Sequence, residues 1–217
     1  MPNNLKLTLA CGRYDRTQPL IDGRVPVEGV DLTFLPLRPG ETFWRMLNHA
    51  EFDCSEMSLS SYTLLRSEGD TRFIAIPVFP SRVFRHSAVY LRADSKIEKP
   101  QDLKGKRIGV ADYQMTAAVW VRGFLSSDYG VRPEDVNWVI GRPVRTIKPP
   151  EGLRVEFMRP DTTLEAMLER GEIDALATVM IPHALGTTFR RLFPIPRRVE
   201  LEYYQRTRIF PIMHTFV

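Results

Sequence analysis

Short apolar segments alternate with amphipathic segments along almost the whole chain, and this alternation constrains the fold more than any other feature. Leu5–Cys11 alternates leucines with polar residues and ends at a glycine, which predicts a strand. Thr116–Tyr129 has helical periodicity and precedes Gly130, which predicts a helix with a glycine C-cap. Similar strand and helix signals continue as far as residue 179. This alternation predicts an α/β protein with mixed, mostly parallel sheets.

Two sixteen-residue segments, 38–53 and 159–174, share an ungapped pattern with seven identical positions. Each segment begins with Arg-Pro, places a threonine where it would cap a helix, and ends in an acidic turn that leads into a strand. Ordinary β-α-β physics would produce part of this likeness. The repeat supports two lobes of similar build, residues 1–92 with 207–217 and residues 93–206, with hinges near 92–96 and 200–208.

Composition and charge exclude several classes of function. The chain is 43% hydrophobic and 26% charged, which is typical of a globular protein. No apolar run approaches the ~20 residues that cross a bilayer, so no membrane partner is expected. The net charge of +4 is small, and the late arginines are not interleaved with stacking aromatics, so no nucleic acid partner is expected. A small anion fits this charge balance.

Targeting and metal signals are also absent from the sequence. The first residues lack the basic and apolar regions of a secretory signal, so a cytoplasmic location is expected. Cys11 and Cys54 lie in separate motifs and are expected to be reduced thiols. The histidines show neither H-x-H nor H-E-x-x-H spacing, so no metal site is expected.

Two similar α/β lobes predict a ligand cleft between them, because ligands bind outside the carboxyl ends of strands and at domain interfaces. The loops that follow strands are therefore the expected site. They cover residues 12–16, 55–61, 80–86, 112–116, 180–183 and 211–215.

Several segments near these loops are distinctive, namely LTLACGRYD (7–15), FDCSEMSLSSY (52–62), IPVFPSRVFRHS (76–87), YQMTAAVWVRG (113–123) and IFPIMHT (209–215). Together they resemble the 4,5-dihydroxyphthalate decarboxylases, a family similar to the type 2 periplasmic-binding-protein fold. The resemblance implies a two-lobed fold of that type. It also implies a carboxy-lyase that converts 4,5-dihydroxyphthalate to protocatechuate and CO₂ in bacterial phthalate degradation. Family members continue past the IFPIMHT segment, so the first lobe is expected to be truncated at its C-terminus.

The segment DLKGKRIGV (102–110) is less specific, because it is also similar to the second lobe of solute-binding proteins. A non-catalytic binding protein for a small aromatic or aliphatic carboxylate is therefore the alternative function. Self-association into a homo-oligomer is compatible with the sequence.

The implied reaction requires residues that hold two carboxylates, supply a proton to a ring carbon and control a hydroxyl. No cofactor is expected, because the catechol ring itself can accept the electrons. Arg82 and Arg85 are candidates for binding a carboxylate in bidentate geometry, with Arg13 as a third. The alternative for Arg82 and Arg85 is that they are exposed residues at a strand end.

Two predicted helix starts are further candidates for binding the anion. One contains Ser58 and Ser60, and the other contains Gln114 and Thr116. Free backbone N–H groups and the helix dipole attract anions there, although N-capping is the more common role of serine and threonine. Tyr113 is expected either to contact an aromatic ligand or to pack in the core.

His86 and His214 are the candidate proton donors, because histidine is the usual acid near neutral pH. His86 ranks first because two arginines lie close to it in the sequence. Glu56 is the carboxyl alternative, since burial can raise a carboxyl pKa into a useful range. Asp15 is expected either to orient a histidine or to accept a hydrogen bond from a catechol hydroxyl. Binding of a metal–catechol complex by His214 with Asp15 or Glu56 stays open, although no spacing requires it.

Overall fold

The structure, a computed structural model, describes residues 4–141 and 150–217. The chain divides into two compact units, and each is described by itself. Unit 1 comprises Met1–Arg82 and Ile212–Val217, and unit 2 comprises Val83–Pro211. The sequence places these boundaries at 92/93 and 206/207. They lie instead at 82/83 and 211/212, because the strand at 89–92 is hydrogen-bonded within the sheet of unit 2 and a helix covers residues 196–207.

Unit 1 contains strands β1 (Leu5–Cys11), β2 (Val30–Pro36), β3 (Cys54–Ser58), β4 (Ile76–Arg82) and β11 (Ile212–Phe216), with helices α1 (Gln18–Ile21), α2 (Pro39–His49) and α3 (Leu59–Ser67). The strands form one sheet in the order β2-β1-β3-β11-β4. β1 is parallel to both β2 and β3, whereas β11 is antiparallel to β3 and β4.

Helix α2 covers one part of this sheet with an apolar face. Its buried residues Phe43, Met46 and Leu47 recur at helical spacing, which is the pattern expected of an amphipathic helix. Pro39 starts the helix at a position where its missing N–H is not needed. Ala50 ends it in a left-handed conformation, with φ of 47°.

Unit 2 contains strands β5 (Val89–Arg92), β6 (Arg107–Val110), β7 (Asn137–Ile140), β8 (Arg154–Phe157), β9 (Ala175–Ala177) and β10 (Phe189–Arg191), with helices α4 (Thr116–Tyr129), α5 (Leu164–Glu169) and α6 (Pro196–Thr207). Short 3₁₀ helices cover His86–Ala88, Pro100–Leu103 and Pro133–Asp135. The strands form a sheet in the order β10-β5-β9-β6-β7-β8.

Two apolar clusters pack the sheet of unit 2. The larger includes Leu103, Phe124 and Trp138 together with Tyr203 of α6. The smaller gathers the buried face of α5 with neighbouring strands and includes Leu168. Thr163 caps α5, because its Oγ1 accepts the backbone N–H of Ala166 at 3.1 Å.

Five strands follow the same order in both sheets. β2-β1-β3-β11-β4 in unit 1 corresponds to β7-β6-β9-β5-β10 in unit 2, and both series pass from parallel to antiparallel pairing at the same step. The repeated segment 38–53 contains α2, which leads into β3. The repeated segment 159–174 contains α5, which leads into the equivalent strand β9. The sequence repeat therefore marks a repeat of topology. Within residues 4–141 and 150–217, no helix is both long and apolar enough to cross a bilayer.

Candidate active site

A buried carboxylate lies at the centre of the candidate site in unit 1. Glu56 belongs to β3, and its side chain is 0% exposed. β1 runs parallel to β3 on one side and β11 runs antiparallel on the other, so Glu56 has neighbours from both strands. A charged group this deep is stable only when surrounding groups compensate for the lost water.

Four donors converge on the two oxygens of Glu56. The Tyr14 hydroxyl donates to Oε1 at 2.5 Å, and Nδ1 of His214 lies 2.5 Å from the same oxygen. The backbone N–H of Gly12 donates to Oε2 at 2.9 Å, and the Cys11 thiol lies 3.4 Å from it. An ionised carboxylate only accepts hydrogen bonds. Nδ1 of His214 must therefore carry a proton and donate it to Oε1 in the hydrogen bond.

Strand register brings His214 to Glu56. His214 of β11 pairs with Ser58 of β3, and Phe216 pairs with Glu56. Residues two apart on a strand face the same side, so His214 and Glu56 form a diagonal cross-strand pair. Phe43 of α2 contacts the imidazole edge-on, with ring centroids 4.9 Å apart. The imidazole is thereby fixed on one side, while 17% of the side chain stays exposed.

Gly12 allows Tyr14 to reach the carboxylate. A Cβ at Gly12 would lie 3.1 Å from the ring and hydroxyl of Tyr14, closer than side chains normally approach. The absence of a side chain therefore lets Tyr14 fold back over the end of β1. Arg16 lies over the Tyr14 ring, with its guanidinium carbon 4.4 Å from the centroid.

The network determines the ionisation of its members. Burial pushes the pKa of Glu56 upward, but the hydrogen bond and charge of His214, followed by the hydrogen bonds from Tyr14 and Gly12, hold the pKa below its ordinary value. Burial, reinforced by the nearby Glu56 carboxylate, raises the pKa of both Tyr14 and Cys11. Glu56 is therefore a carboxylate at neutral pH, whereas the phenol and the thiol stay protonated.

The structure brings two predicted catalytic residues, Glu56 and His214, into direct contact. Asp15 lies apart from them, with a side chain that is 91% exposed and ion-paired with Arg16. Arg13 is exposed after β1, and Arg82 is exposed at the end of β4. The predicted roles of these three residues in binding and catalysis stay predictions.

Ser58 and Ser60 lie at the start of α3, as the sequence predicts. Ser58 is the N-cap residue but its side chain makes no capping hydrogen bond, and its hydroxyl lies 3.2 Å from that of Ser60. Because Ser58 pairs directly with His214, this helix start borders the Glu56–His214 pair.

Three further predicted residues, Tyr113, Gln114 and Thr116, lie in or beside the loop between β6 and α4 of unit 2, and all three are buried. The Gln114 backbone N–H donates to Oδ1 of Asp112 at 3.1 Å, which shapes the loop. Thr116 is the first residue of α4, whereas Met115 is its N-cap.

His86 lies in the aromatic core of unit 2. Its imidazole is stacked on Phe124 with ring centroids 4.2 Å apart, and it also contacts Phe193 and Tyr203. Neither ring nitrogen has a hydrogen-bond partner among the described residues, and the residue is 2% exposed. Burial lowers its pKa to about 4.

The residues of the predicted anion site, Arg82, Arg85 and His86, fall in two different units. Arg82 belongs to unit 1, whereas Arg85 and His86 belong to unit 2. Arg85 is half-buried, and burial lowers its pKa. The contacts of His86 are those of a core residue, so its predicted role as proton donor stays a prediction that no contact supports.

Sequence reasoning missed Tyr14, Cys11 and Gly12 as partners of Glu56, and it missed Arg122 beside Tyr113. Tyr14 stood within a loop that the sequence did single out, but nothing local indicated its partner. Arg122 lies two turns into α4, and no sequence signal shows that its side chain points back to the loop. Among the described residues, no group of three or more histidine, cysteine, aspartate or glutamate side chains could hold a metal ion.

Comparison with known proteins first defines the class. A family model described as the periplasmic substrate-binding protein of phosphonate ABC transporters matches residues 18–178. The periplasmic aliphatic sulphonate binding protein SsuA of Escherichia coli has a TM-score of 0.61 and 12% identity, over 98% of this chain and 64% of that one. The alkanesulfonate-binding protein SsuA of Xanthomonas axonopodis pv. citri has a TM-score of 0.52 and 15% identity, over 82% and 55% of the two chains. This confirms the expected periplasmic-binding-protein fold, whereas the cleft between lobes stays a prediction.

Curated relatives then define the family. A 4,5-dihydroxyphthalate decarboxylase of Comamonas testosteroni is 45% identical over 223 residues, which cover 98% of this chain and 68% of the relative. A protein of the same name from Pseudomonas putida is 47% identical over 181 residues, which cover 80% of this chain and 70% of the relative. The chain belongs to the 4,5-dihydroxyphthalate decarboxylase family, which confirms the resemblance seen in the sequence. It spans about two-thirds of the length of these relatives.

Proposed function

We propose that this chain catalyses the non-oxidative decarboxylation of 4,5-dihydroxyphthalate, or of a close hydroxylated aromatic acid, to protocatechuate and CO₂. The name of the two curated relatives supports the substrate and the carboxy-lyase reaction. The buried Glu56–His214 pair is the observation that carries the mechanism, because it combines a proton carrier with a group that orients it.

The chemistry follows from the substrate. Each ring carbon that bears a carboxylate lies para to a hydroxyl, so a proton added to that carbon leaves positive charge that the hydroxyl oxygen shares. The bond to the carboxylate then breaks, its electron pair restores the aromatic ring, and CO₂ leaves. The dianion consumes one proton and becomes the protocatechuate monoanion, with no net oxidation or reduction. We therefore propose that the reaction needs no organic cofactor and no metal ion, so dialysis against EDTA should leave turnover unchanged.

His214 is the proton donor in this proposal. Glu56 accepts a hydrogen bond from the N–H at Nδ1 of His214. The second proton of an imidazolium therefore lies on Nε2, the nitrogen that is left to face the substrate. The carboxylate also stabilises the imidazolium before the proton is transferred and fixes the plane of the ring. Tyr14 and Gly12 hold Glu56 in place and are positioning residues.

Product analysis tests the proposal. The chain is incubated with 4,5-dihydroxyphthalate, and protocatechuate and CO₂ are measured; in D₂O, one deuterium should enter at the carbon that loses the carboxylate. His214→Gln is expected to lower kcat by about 10²–10⁴-fold, the usual contribution of a general acid. His49→Gln is the matched control, because His49 is an exposed histidine of the same unit that contacts Trp44.

Two results would contradict the proposal at different points. If His214→Gln turns over substrate as fast as the His49→Gln control, His214 is not the proton donor. The proposed decarboxylation itself would not be affected by that result. A wild-type chain that releases neither product would refute the decarboxylation itself.

The match to a substrate-binding family favours one alternative, which is a protein that binds a small aromatic or aliphatic carboxylate without converting it. The same experiment separates the two functions. Saturable binding of 4,5-dihydroxyphthalate, measured by calorimetry, with no product formed would establish the alternative.

We also propose a cytoplasmic location and leave the oligomeric state to measurement. Both cysteines are free thiols, which suits a reducing compartment. Fractionation of cells that express the native gene tests the location, and light scattering of the purified chain tests self-association.

A further inference from the structure

Arg122 of α4 carries a half-buried charge beside the loop between β6 and α4. Its Nη1 donates to the carbonyl oxygen of Tyr113 at 2.6 Å, and its guanidinium carbon lies 3.7 Å from the centroid of the Tyr113 ring. Trp138 contributes a second aromatic face at 5.9 Å. Burial removes water from the guanidinium and lowers the pKa of Arg122. The side chain is nevertheless partly exposed and can be reached from solvent.

This cation has no anionic partner in the part of the chain that the structure describes. Arg170 and Arg206 of the same unit form ion pairs with Glu172 and Asp128. The charge of Asp112 acts on Arg122, but the two side chains do not form an ion pair. The Asp112 carboxylate accepts the backbone N–H of Gln114. Arg122 therefore keeps Nε and Nη2 without an acceptor among the described residues.

We propose that Arg122 binds one carboxylate of the aromatic substrate through Nε and Nη2, while Nη1 holds the Tyr113 carbonyl. The identity of the ligand rests on the proposed function. Nε and Nη2 form one edge of the planar guanidinium, and that edge matches the two oxygens of a carboxylate. Stacking on Tyr113 fixes the plane, so little side-chain entropy is lost when the carboxylate binds. The fixed guanidinium edge therefore favours a planar carboxylate.

Direct binding tests this role independently of turnover. Calorimetry compares three ligands: phthalate, which has both carboxylates but no hydroxyl; benzoate, which has one carboxylate; and catechol, which has none. Arg122→Gln is expected to weaken phthalate binding by about tenfold to hundredfold, the usual effect of losing a charge-assisted fork. Arg122→Gln should weaken benzoate binding to the same extent if benzoate places its carboxylate at this position. Its affinity for catechol should change by less than about twofold.

Two more variants keep the test decisive. Arg122→Lys retains the charge but loses the fork, and is expected to bind phthalate more weakly than wild type and more tightly than Arg122→Gln. Arg198→Gln removes an exposed arginine of α6 with the same change in charge and should bind all three ligands as wild type does. Melting temperatures of all variants are measured alongside.

Three outcomes would overturn the proposal. Wild-type phthalate affinity in Arg122→Gln together with a lower melting temperature would show that Arg122 only supports the loop. An equal loss of catechol and phthalate binding would show that Arg122 supports the local structure and does not bind the carboxylate. A wild-type chain that binds no phthalate would show that an aromatic dicarboxylate is not the ligand of this site. By contrast, a wild type that binds phthalate through Arg122 but forms no protocatechuate would refute only the proposed reaction.

Discussion

Replacing Glu56 with glutamine tests the central claim about the site, which is that a compensated buried carboxylate organises it. Glutamine has the same shape but carries no charge. The hydrogen bonds from Tyr14 and His214, both 2.5 Å long, would lose their charge assistance, as would the bond from Gly12 at 2.9 Å. His214 would also lose the anion that stabilises its imidazolium form.

The magnitude follows from these contacts. A hydrogen bond to a charged group contributes about 1 kcal/mol more than a neutral one, so the two short bonds together give about 2 kcal/mol. We therefore expect Glu56→Gln to lower the free energy of unfolding by about 2 kcal/mol, which corresponds to about 4–8 °C in melting temperature for a chain of this length. The kcat of Glu56→Gln should also fall, because His214, the proposed proton donor, loses the negative charge beside it.

The dependence on pH gives a sharper test than the size of the effect alone. The pKa of Glu56 in the folded state lies below its ordinary value of 4.5, so the folded protein binds this proton less readily than the unfolded chain. Its contribution to stability is therefore complete above pH 4.5 and is lost as the pH falls through the lowered pKa. The difference between wild type and Glu56→Gln should be full at pH 7 and should shrink below pH 4.5.

Urea unfolding followed by circular dichroism at several pH values measures this difference. Glu41→Gln is the matched control, since Glu41 belongs to the same unit and forms an exposed ion pair with Arg45, which should contribute little. A Glu56→Gln variant as stable as the control at pH 7, or a difference that grows on acidification, would refute the reasoning.

Three other variants extend these arguments. Tyr14→Phe removes one donor to Glu56, so it should cost about 1 kcal/mol and move the acid-induced loss of stability to higher pH; an unchanged pH profile in urea unfolding would count against the network. Burial lowers the pKa of His86 from its ordinary value of 6.5 to about 4, so the wild type should lose roughly 3 kcal/mol through this residue as the pH falls across that interval. His86→Leu should flatten the profile there, and a parallel profile would contradict the buried neutral imidazole. Thr163→Ala should cost about 1 kcal/mol in thermal unfolding through loss of the α5 cap, whereas Thr162→Ala, which removes a hydroxyl outside the cap, should cost less.

Elements with strong periodicity could be predicted from the sequence. β1 and α4 have the predicted bounds, because alternation and helical spacing report directly which side of an element is buried. Gly130 ends α4 with φ of 64°, as its position after the last periodic residue predicts.

Elements held mainly by tertiary contacts could not be predicted. The sequence placed a hinge near 200–208, where the structure has α6. Tyr203 is the one buried residue of that helix, so the helix shows little amphipathic signal, although Pro196 stands at its start. β10 has three residues, too few for a period to appear, and it forms because β5 offers an edge for pairing.

The local sequence around His86 could not show that its side chain is buried, for a physical reason. Two arginines within four positions favoured a carboxylate-binding role for this segment, whereas the imidazole of His86 turns inward and packs on Phe124. The direction of a side chain in a short 3₁₀ helix depends on which neighbours cover it, and those neighbours come from distant parts of unit 2. Composition near a residue therefore says little about whether its functional atoms reach solvent.

The pairing of Glu56 with His214 shows why candidate residues are easier to find than their contacts. Each residue was identified separately, because each stands in a loop or strand end of a distinctive segment. They are 158 positions apart, and they meet only because β11 inserts between β3 and β4 in one particular register. A slip of one residue would turn His214 to the opposite face of the sheet and leave Glu56 without its partner. The site therefore depends on a non-local strand pairing, and loss of the His214 contact to the buried Glu56 carboxylate disfavours the wrong register.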